Sequence, residues 1–221
     1  MNKIITIIRG KDSETYDSFH RRVKDVLGRI AEERPQALHY TITLEKPPGL
    51  SLIPFLKGKI AMVSVHDDRD FTGQLKDANG FSGSFRVTEA LPRAYERDWE
   101  NGQPTPGVCL LTLFRQKKGI DYETFINRWH NGHTVFTLKV HPIFHYNRNV
   151  VEESFGNPPA DYDGIVEEHT RDKKTLVNPF VFFGKPWMAP VNMVKTYFDV
   201  NSFIDYKSIE TYLVREYHVV G

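Results

Sequence analysis

Trp129, His130 and His133 fall within one and a half helical turns, and a His145-Tyr146 pair follows shortly after. Imidazole titrates near neutral pH, so a histidine facing a cavity can move a proton to or from a bound carbonyl compound. Trp129 precedes His133 by four residues, which puts both on one helix face and lets the indole wall a pocket for an aromatic ligand. His130 and His133 form H-x-x-H, a spacing that can share a metal with His141 or His145. A metal site, however, needs three or four converging ligands with supporting partners, and His130 falls off the apolar stripe and reads as solvated. One axial histidine for haem cannot be recognised alone, and neither C-x-x-C-H nor a glycine-rich phosphate loop is found. The expectation is of no metal and no cofactor. Cys109 lies in a strand-like run without an activating motif and reads as a buried structural thiol. Glu167 and Glu168, being adjacent on a strand, offer a carboxylate to either face.

The chain carries its own comparison. Residues 4–40 recur without a gap 106 residues later: Ile4-Ile5-Thr6-Ile7-Ile8-Arg9 returns as Leu110-Leu111-Thr112-Leu113-Phe114-Arg115. Lys11, Tyr16, Phe19, Arg22, His39 and Tyr40 return as Lys117, Tyr122, Phe125, Arg128, His145 and Tyr146. Two fused copies of one fold account for this. Shared architecture explains His145 and Tyr146 as well as chemistry does, and alternation sends them to opposite faces, leaving open which one meets a helix-side cavity. The differences are more telling. Leu27 stands where the second copy has His133, and Val23 where it has Trp129. An unpaired buried polar group costs about 1–3 kcal/mol, so imidazole at a position that leucine satisfies calls for a compensating use. A hydrogen bond to a backbone carbonyl at the helix end is the structural alternative for His133, and plain core packing is that for Trp129.

The elements that must position these residues follow from periodicity. Residues 3–9 are a strand, Tyr16 to Ile30 carry apolar residues at helical spacing, and Pro35 lies beyond the helix as a stop signal. Ala37 to Leu44 reads as a second strand, Lys46 to Gly58 as a Pro- and Gly-rich connection, Lys59 to His66 as a third strand. Asp68 to Ala78 reads as a short helix and Ser84 to Leu91 as a fourth strand. This order, β-α-β-β-α-β, is the split unit of the ferredoxin-like motif. After the breaker-rich linker from Asn101 to Gly107, the second copy repeats it: strand Val108 to Phe114, helix Asp121 to Phe136, strands Ile143 to Val151 and Gly164 to His169. Met193 to Val200 is expected to close the unit, with Tyr212 to Val219 an extra terminal strand. The fold class is α+β, with two tandem ferredoxin-like units, 1–100 and 107–221, whose antiparallel sheets pack face to face with helices outside.

Composition narrows the partners. Basic and acidic residues number 29 and 28, and the basic ones are scattered, which argues against nucleic acid or an anionic membrane as partner. No apolar run approaches the 18 residues of a membrane span. The first strand begins at Lys3, leaving no room for a cleavable signal, and one cysteine cannot form an internal disulfide. A cytoplasmic protein, monomer or homodimer, with a small-molecule ligand is expected.

Three motifs in order, Phe125-x-x-x-Trp129-x-x-x-His133, His145-Tyr146-Asn147-Arg148-Asn149-Val150 and Asp161-Tyr162-Asp163-Gly164-Ile165-Val166-Glu167, resemble the EthD family of the dimeric α+β barrel superfamily. The resemblance covers about 109–200 and implies a barrel, usually formed by two subunits, built here within one chain. Relatives are associated with catabolism of small organic molecules and polyketide tailoring, and the wider superfamily includes cofactor-free monooxygenases, cyclases and haem proteins. The implied function is a cofactor-independent enzyme acting on a small aromatic or polyketide-like carbonyl compound, by cyclisation, dehydration, decarboxylation or oxygenation. In it His133 is general acid or base, Tyr146 or His145 orients an oxygen, and Trp129, Phe125 and Asn147 are ligand-binding candidates. A ligand-binding protein without turnover is the alternative, and a haem or metal enzyme comes third.

His133→Leu installs the residue of the first copy. It is expected to keep the fold, leave the thermal midpoint unchanged or higher, and lower turnover about 10²- to 10⁴-fold. An active and stable variant, both measured on one sample, would remove His133 from the chemistry.

Overall fold

The apolar run Lys3–Arg9 forms strand β1, and Thr15 then caps helix α1 (Tyr16–Glu32) by accepting from the Ser18 amide. Strands β2 (Ala37–Ile42) and β3 (Ile60–His66), the short helix α2 (Thr72–Lys76) and strand β4 (Phe81–Arg93) complete the first half. The second half opens with β5 (Val108–Phe114). Its long helix is broken into α3 (Tyr122–Asn127), a π-helical turn (Arg128–His133) and α4 (Thr134–Val140). Strands β6 (Ile143–Phe155) and β7 (Gly164–Thr170) follow, then helices α5 (Lys173–Val177), α6 (Pro179–Phe182) and α7 (Ala189–Phe203), and finally β8 (Glu210–Val220). The computed structural model describes residues 2–49, 51–156 and 160–221; Leu50, inside the Lys46 to Gly58 connection, and Met1 fall outside them.

The strands run β1-β3-β2-β8-β5-β7-β6-β4 around one closed barrel. Each half has the same internal order, β4-β1-β3-β2 and β8-β5-β7-β6. Instead of two separate sheets facing each other, the halves are hydrogen-bonded at both edges, β2 to β8 and β4 to β6. Closure gives every edge amide and carbonyl a partner that an open sheet would leave to solvent. Two expectations about the second half are corrected. Met193 to Val200 lies inside helix α7, and β8 takes the fourth strand position rather than adding a surplus strand. The misreading has a physical cause: Val191, Val194, Tyr197 and Phe198 are exposed on α7 while the polar Asn192 and Thr196 turn toward the protein, so the apolar residues do not mark the side of the helix that faces the core.

Closure also sorts side chains by parity. Outward residues such as Ile8, Leu38, Tyr40 and Val63 pack against the α1 stripe of Phe19, Val23, Leu27 and Ile30. Their counterparts Leu110, Phe114, Tyr146 and Val166 pack under Phe125, Trp129 and Phe203. The opposite set, including Ile5, Ile7, Met62, Phe85, Leu111 and Leu113, fills the barrel. Beyond this apolar middle the inward positions turn polar, with His39, His145, Glu167, His169 and Glu216 all buried. The Asn101 to Gly107 linker runs along β8: the Gly102 and Thr105 amides donate to the carbonyls of His218 and Glu216. Among the described residues, no helix is long and apolar enough to cross a membrane.

Gly164 opens β7 beneath the aromatic wall. A Cβ there would lie 2.4 Å from the Phe114 ring and 2.8 Å from that of Trp129. Gly164→Ala is expected to cost about 1–3 kcal/mol by overpacking, or roughly 2–4 °C of thermal midpoint per kcal/mol. Calorimetry showing no change would mean that the Phe114 and Trp129 rings can give way.

Candidate functional site

Between the outer face of the last four strands and the helices that cover it lies a cavity of about 590 Å³. Its walls are mainly apolar: Leu110, Phe114, Trp129, Phe182 and Phe203 line it, together with Leu52 to Pro54 from the first half. That first-half segment is held by β8, where the Leu56 amide donates to the Thr211 carbonyl and the Thr211 hydroxyl donates to Pro54. The connection expected as a plain linker thus completes the pocket of the other half.

The π-helical turn carries both residues singled out for chemistry. The Thr134 amide and hydroxyl converge on the Trp129 carbonyl, five residues back, and such insertions in helices are frequent at functional sites. The first copy, by contrast, has an uninterrupted α1. From this turn His133 reaches α7: its Nδ1 lies 2.7 Å from Asp199 Oδ2, and its Nε2 lies 3.2 Å from the Thr137 hydroxyl. With Nδ1–H donated to the carboxylate, Nε2 carries the lone pair. Asp199 therefore orients the ring and fixes its tautomer.

Tyr146 faces the same cavity, and burial pushes its phenol well above the ordinary range. Its hydroxyl has no well-formed hydrogen bond, with the Trp129 indole and Thr134 as polar neighbours. The equivalent Tyr40 is satisfied by His20 Nε2 at 2.9 Å and stacks on Tyr217. A second acid–imidazole pair, Glu168 and His141, lines the cavity at 3.6 Å separation, with the His141 ring against Phe182.

His133, Trp129 and Tyr146 thus share one cavity, whereas the other sequence candidates lie elsewhere. His145 and Asn147 point into the barrel, because they alternate with Tyr146 along β6. His145 packs on Tyr95 and His169 with ring centroids 4.4 and 5.0 Å away, and burial lowers its pKa to about 4. Asn147 donates to Glu89 at 2.8 Å. Phe125 is fully buried behind Trp129, as core rather than lining. His130 is half-buried against the Trp129 ring rather than solvated, and burial followed by the Arg148 charge lowers it to about 4. Among the described residues, no close cluster of three metal-ligating atoms includes His130 or His133. Sequence reasoning missed Asp199, assigned to a strand, and named His141 only as a possible metal ligand. The alternation that split Glu167 from Glu168 was the signal for Glu168.

No family model matches the chain, and no curated protein matches it. Solved structures do. A structure described as an anthrone oxidase-like protein aligns with a TM-score of 0.56 and 8% identity, covering 100% of this chain and 91% of its own. A "Putative monooxygenase" from Fusobacterium nucleatum subsp. nucleatum aligns with a TM-score of 0.50 and 9% identity, covering 99% and 93%. The likeness shows the fold. Neither neighbour carries the EthD name.

Asp199→Asn tests the pairing directly. In the native protein, nitrogen-resolved NMR should show the neutral His133 ring as the tautomer protonated at Nδ1 and unprotonated at Nε2. The variant should lose that fixed tautomer while keeping its fold, because Asp199 is partly exposed. A native His133 with Nε2 protonated and Nδ1 free would contradict the assignment.

Proposed function

We propose that the chain is an enzyme acting on a small aromatic or polyketide-like carbonyl compound held in the 590 Å³ cavity, with abstraction of a carbon-bound proton made acidic by conjugation with the carbonyl as its committed step. The observation that carries this reading is the convergence, on one mainly apolar cavity, of a carboxylate-oriented imidazole and a buried phenol whose polar neighbours are the Trp129 indole and Thr134. His133 Nε2 takes the proton, Asp199 stabilises the imidazolium, and the Tyr146 hydroxyl donates to the oxygen on which negative charge develops. Trp129 and Phe182 offer flat walls to the ring system. The apolar walls strengthen these interactions.

The enolate so formed has several fates, and the fold neighbours favour oxygen chemistry. In that case O2 is the co-substrate: the carbanion carbon forms a C–O bond to O2, a proton completes the hydroperoxide, and loss of water from a CH–OOH centre leaves a new carbonyl. The substrate supplies the electrons, so this route calls on no further reductant. The repeat is read as two ferredoxin-like units fused by duplication, of which only the second keeps an active cavity. Leu27, packed in the core at the place of His133, supports that division.

Incubation with anthrone, chosen for its acidic CH2 beside a ketone-bearing ring system, should consume O2 and yield the quinone. Tyr146→Phe should lower kcat about 10²- to 10³-fold, as removal of one oxyanion donor does, with KM little changed. Binding of anthrone and related hydroxyketones without turnover would replace the enzyme by a binding protein. No binding of any such compound would end this reading.

A further inference from the structure

On the opposite face of the same strands, the two halves differ in a way the cavity does not use. Ladder register makes Lys3 the counterpart of Cys109, since they pair with His66 and His169 respectively. Ser64 and Glu167 correspond in the same manner through Ile5 and Leu111. Glu89 and Glu216 each follow the partner of that position, Val87 or Val214, by two residues. In the first half the charges balance locally: Lys3 and His66 both bind Glu89, and the position of Glu167 is a neutral serine. The second half has an additional carboxylate and, where the lysine would be, a cysteine.

The result is a cluster that protein groups leave incomplete. Glu167 is fully buried and both its carboxylate oxygens lack a hydrogen-bond partner, as do His39 Nε2 and His169 Nε2. One ligand atom each from Cys109, Glu167 and His169 lie within 4.8 Å of one another, and so do those of His39, Glu167 and Glu216. Glu216 is already steadied from behind, by the Tyr95 hydroxyl at 2.8 Å and the Thr105 hydroxyl at 2.6 Å. Metal-ligating carboxylates are typically supported in this manner. A carboxylate so deeply buried is costly unless a cation or hydrogen bonds compensate it, and that of Glu167 lies within the field of Lys3 but makes no hydrogen bond.

We propose that Glu167 is the central ligand of a structural divalent transition-metal site inside the barrel, completed by Cys109 and His169 on one side and His39 and Glu216 on the other. A thiolate, two imidazoles and carboxylates suit an ion of the Zn2+ or Co2+ kind, whereas Mg2+ and Ca2+ prefer oxygen alone. The ion takes the place of the cation that Lys3 supplies in the first half. It also ties β2 of the first half to β8, β5 and β7 of the second. The site is independent of the cavity, which lies across the strands from it.

Elemental analysis of the full chain after purification, then chelator stripping and titration with Co2+ and Zn2+, tests this. Retained zinc-type metal, visible Co2+ absorption with a thiolate charge-transfer component, and a thermal midpoint raised by roughly 5 °C at a hundredfold excess of Zn2+ over Kd are expected. Cys109→Ser should remove the charge-transfer component. Glu167→Ser, which copies the first half, should fold and lose both binding and the thermal response; Glu167→Gln, closer in shape, serves the same purpose if the serine variant does not fold. Absence of stoichiometric binding to the native chain, or binding unchanged in a folded Glu167 variant, would overturn the proposal and leave the cluster as a hydrated polar network.

Discussion

Eight strands closed in a ring leave each side chain two destinations, the barrel interior or the helix side, and the pleat decides between them by odd or even position. The strand-borne residues of chemical interest in this chain are apportioned by that constraint. Tyr146 goes to the cavity while His145 and Asn147 go inward; Glu168 goes to the cavity while Glu167 goes inward. A one-residue slip in any ladder would exchange the two sets, so the register of β6 and β7 is as important to the site as the identity of its residues.

Within that frame the helix-side cavity exists because the second half departs from the first at a few points. The π-helical turn replaces a regular helix, and α7 replaces the single short turn of α2, giving a long helix from which Asp199 can meet His133. The same helix presents Val194 and Phe198 to solvent, a face that contributes nothing to the pocket. The cavity is closed on another side by the first half, through Leu52 to Pro54 on β8. Neither half would enclose it alone.

Much of the fold was legible because its signals are local. Helical spacing in Phe19 to Ile30, the strand runs and the breaker-rich linker announce themselves within short windows, and the internal repeat tied the halves together. Legibility failed where the signal is not local. Apolar residues on the exposed side of α7 hid its helical pattern, so Asp199 was assigned to a strand and its pairing with His133 was invisible. Parity alone could not choose between His145 and Tyr146, because the choice depends on which ladder face the helix covers. The inward cluster draws on residues from position 39 to 216, on four different strands, and no spacing in the chain foreshadows it.

The correspondence of Ser64 with Glu167 has a consequence for how such a protein can change over generations. In a barrel made of two identical subunits, every substitution appears twice about the symmetry axis. A serine-to-glutamate change facing the interior would then bury two carboxylates in the same closed space, and their mutual repulsion would tend to eliminate it at once. Carrying both halves on one chain lifts that symmetry. A single buried acid can arise opposite an unchanged serine, be tolerated, and acquire partners one at a time. Having both halves on one chain permits a lopsided interior, and each costly inward side chain in the second half need be buried only once.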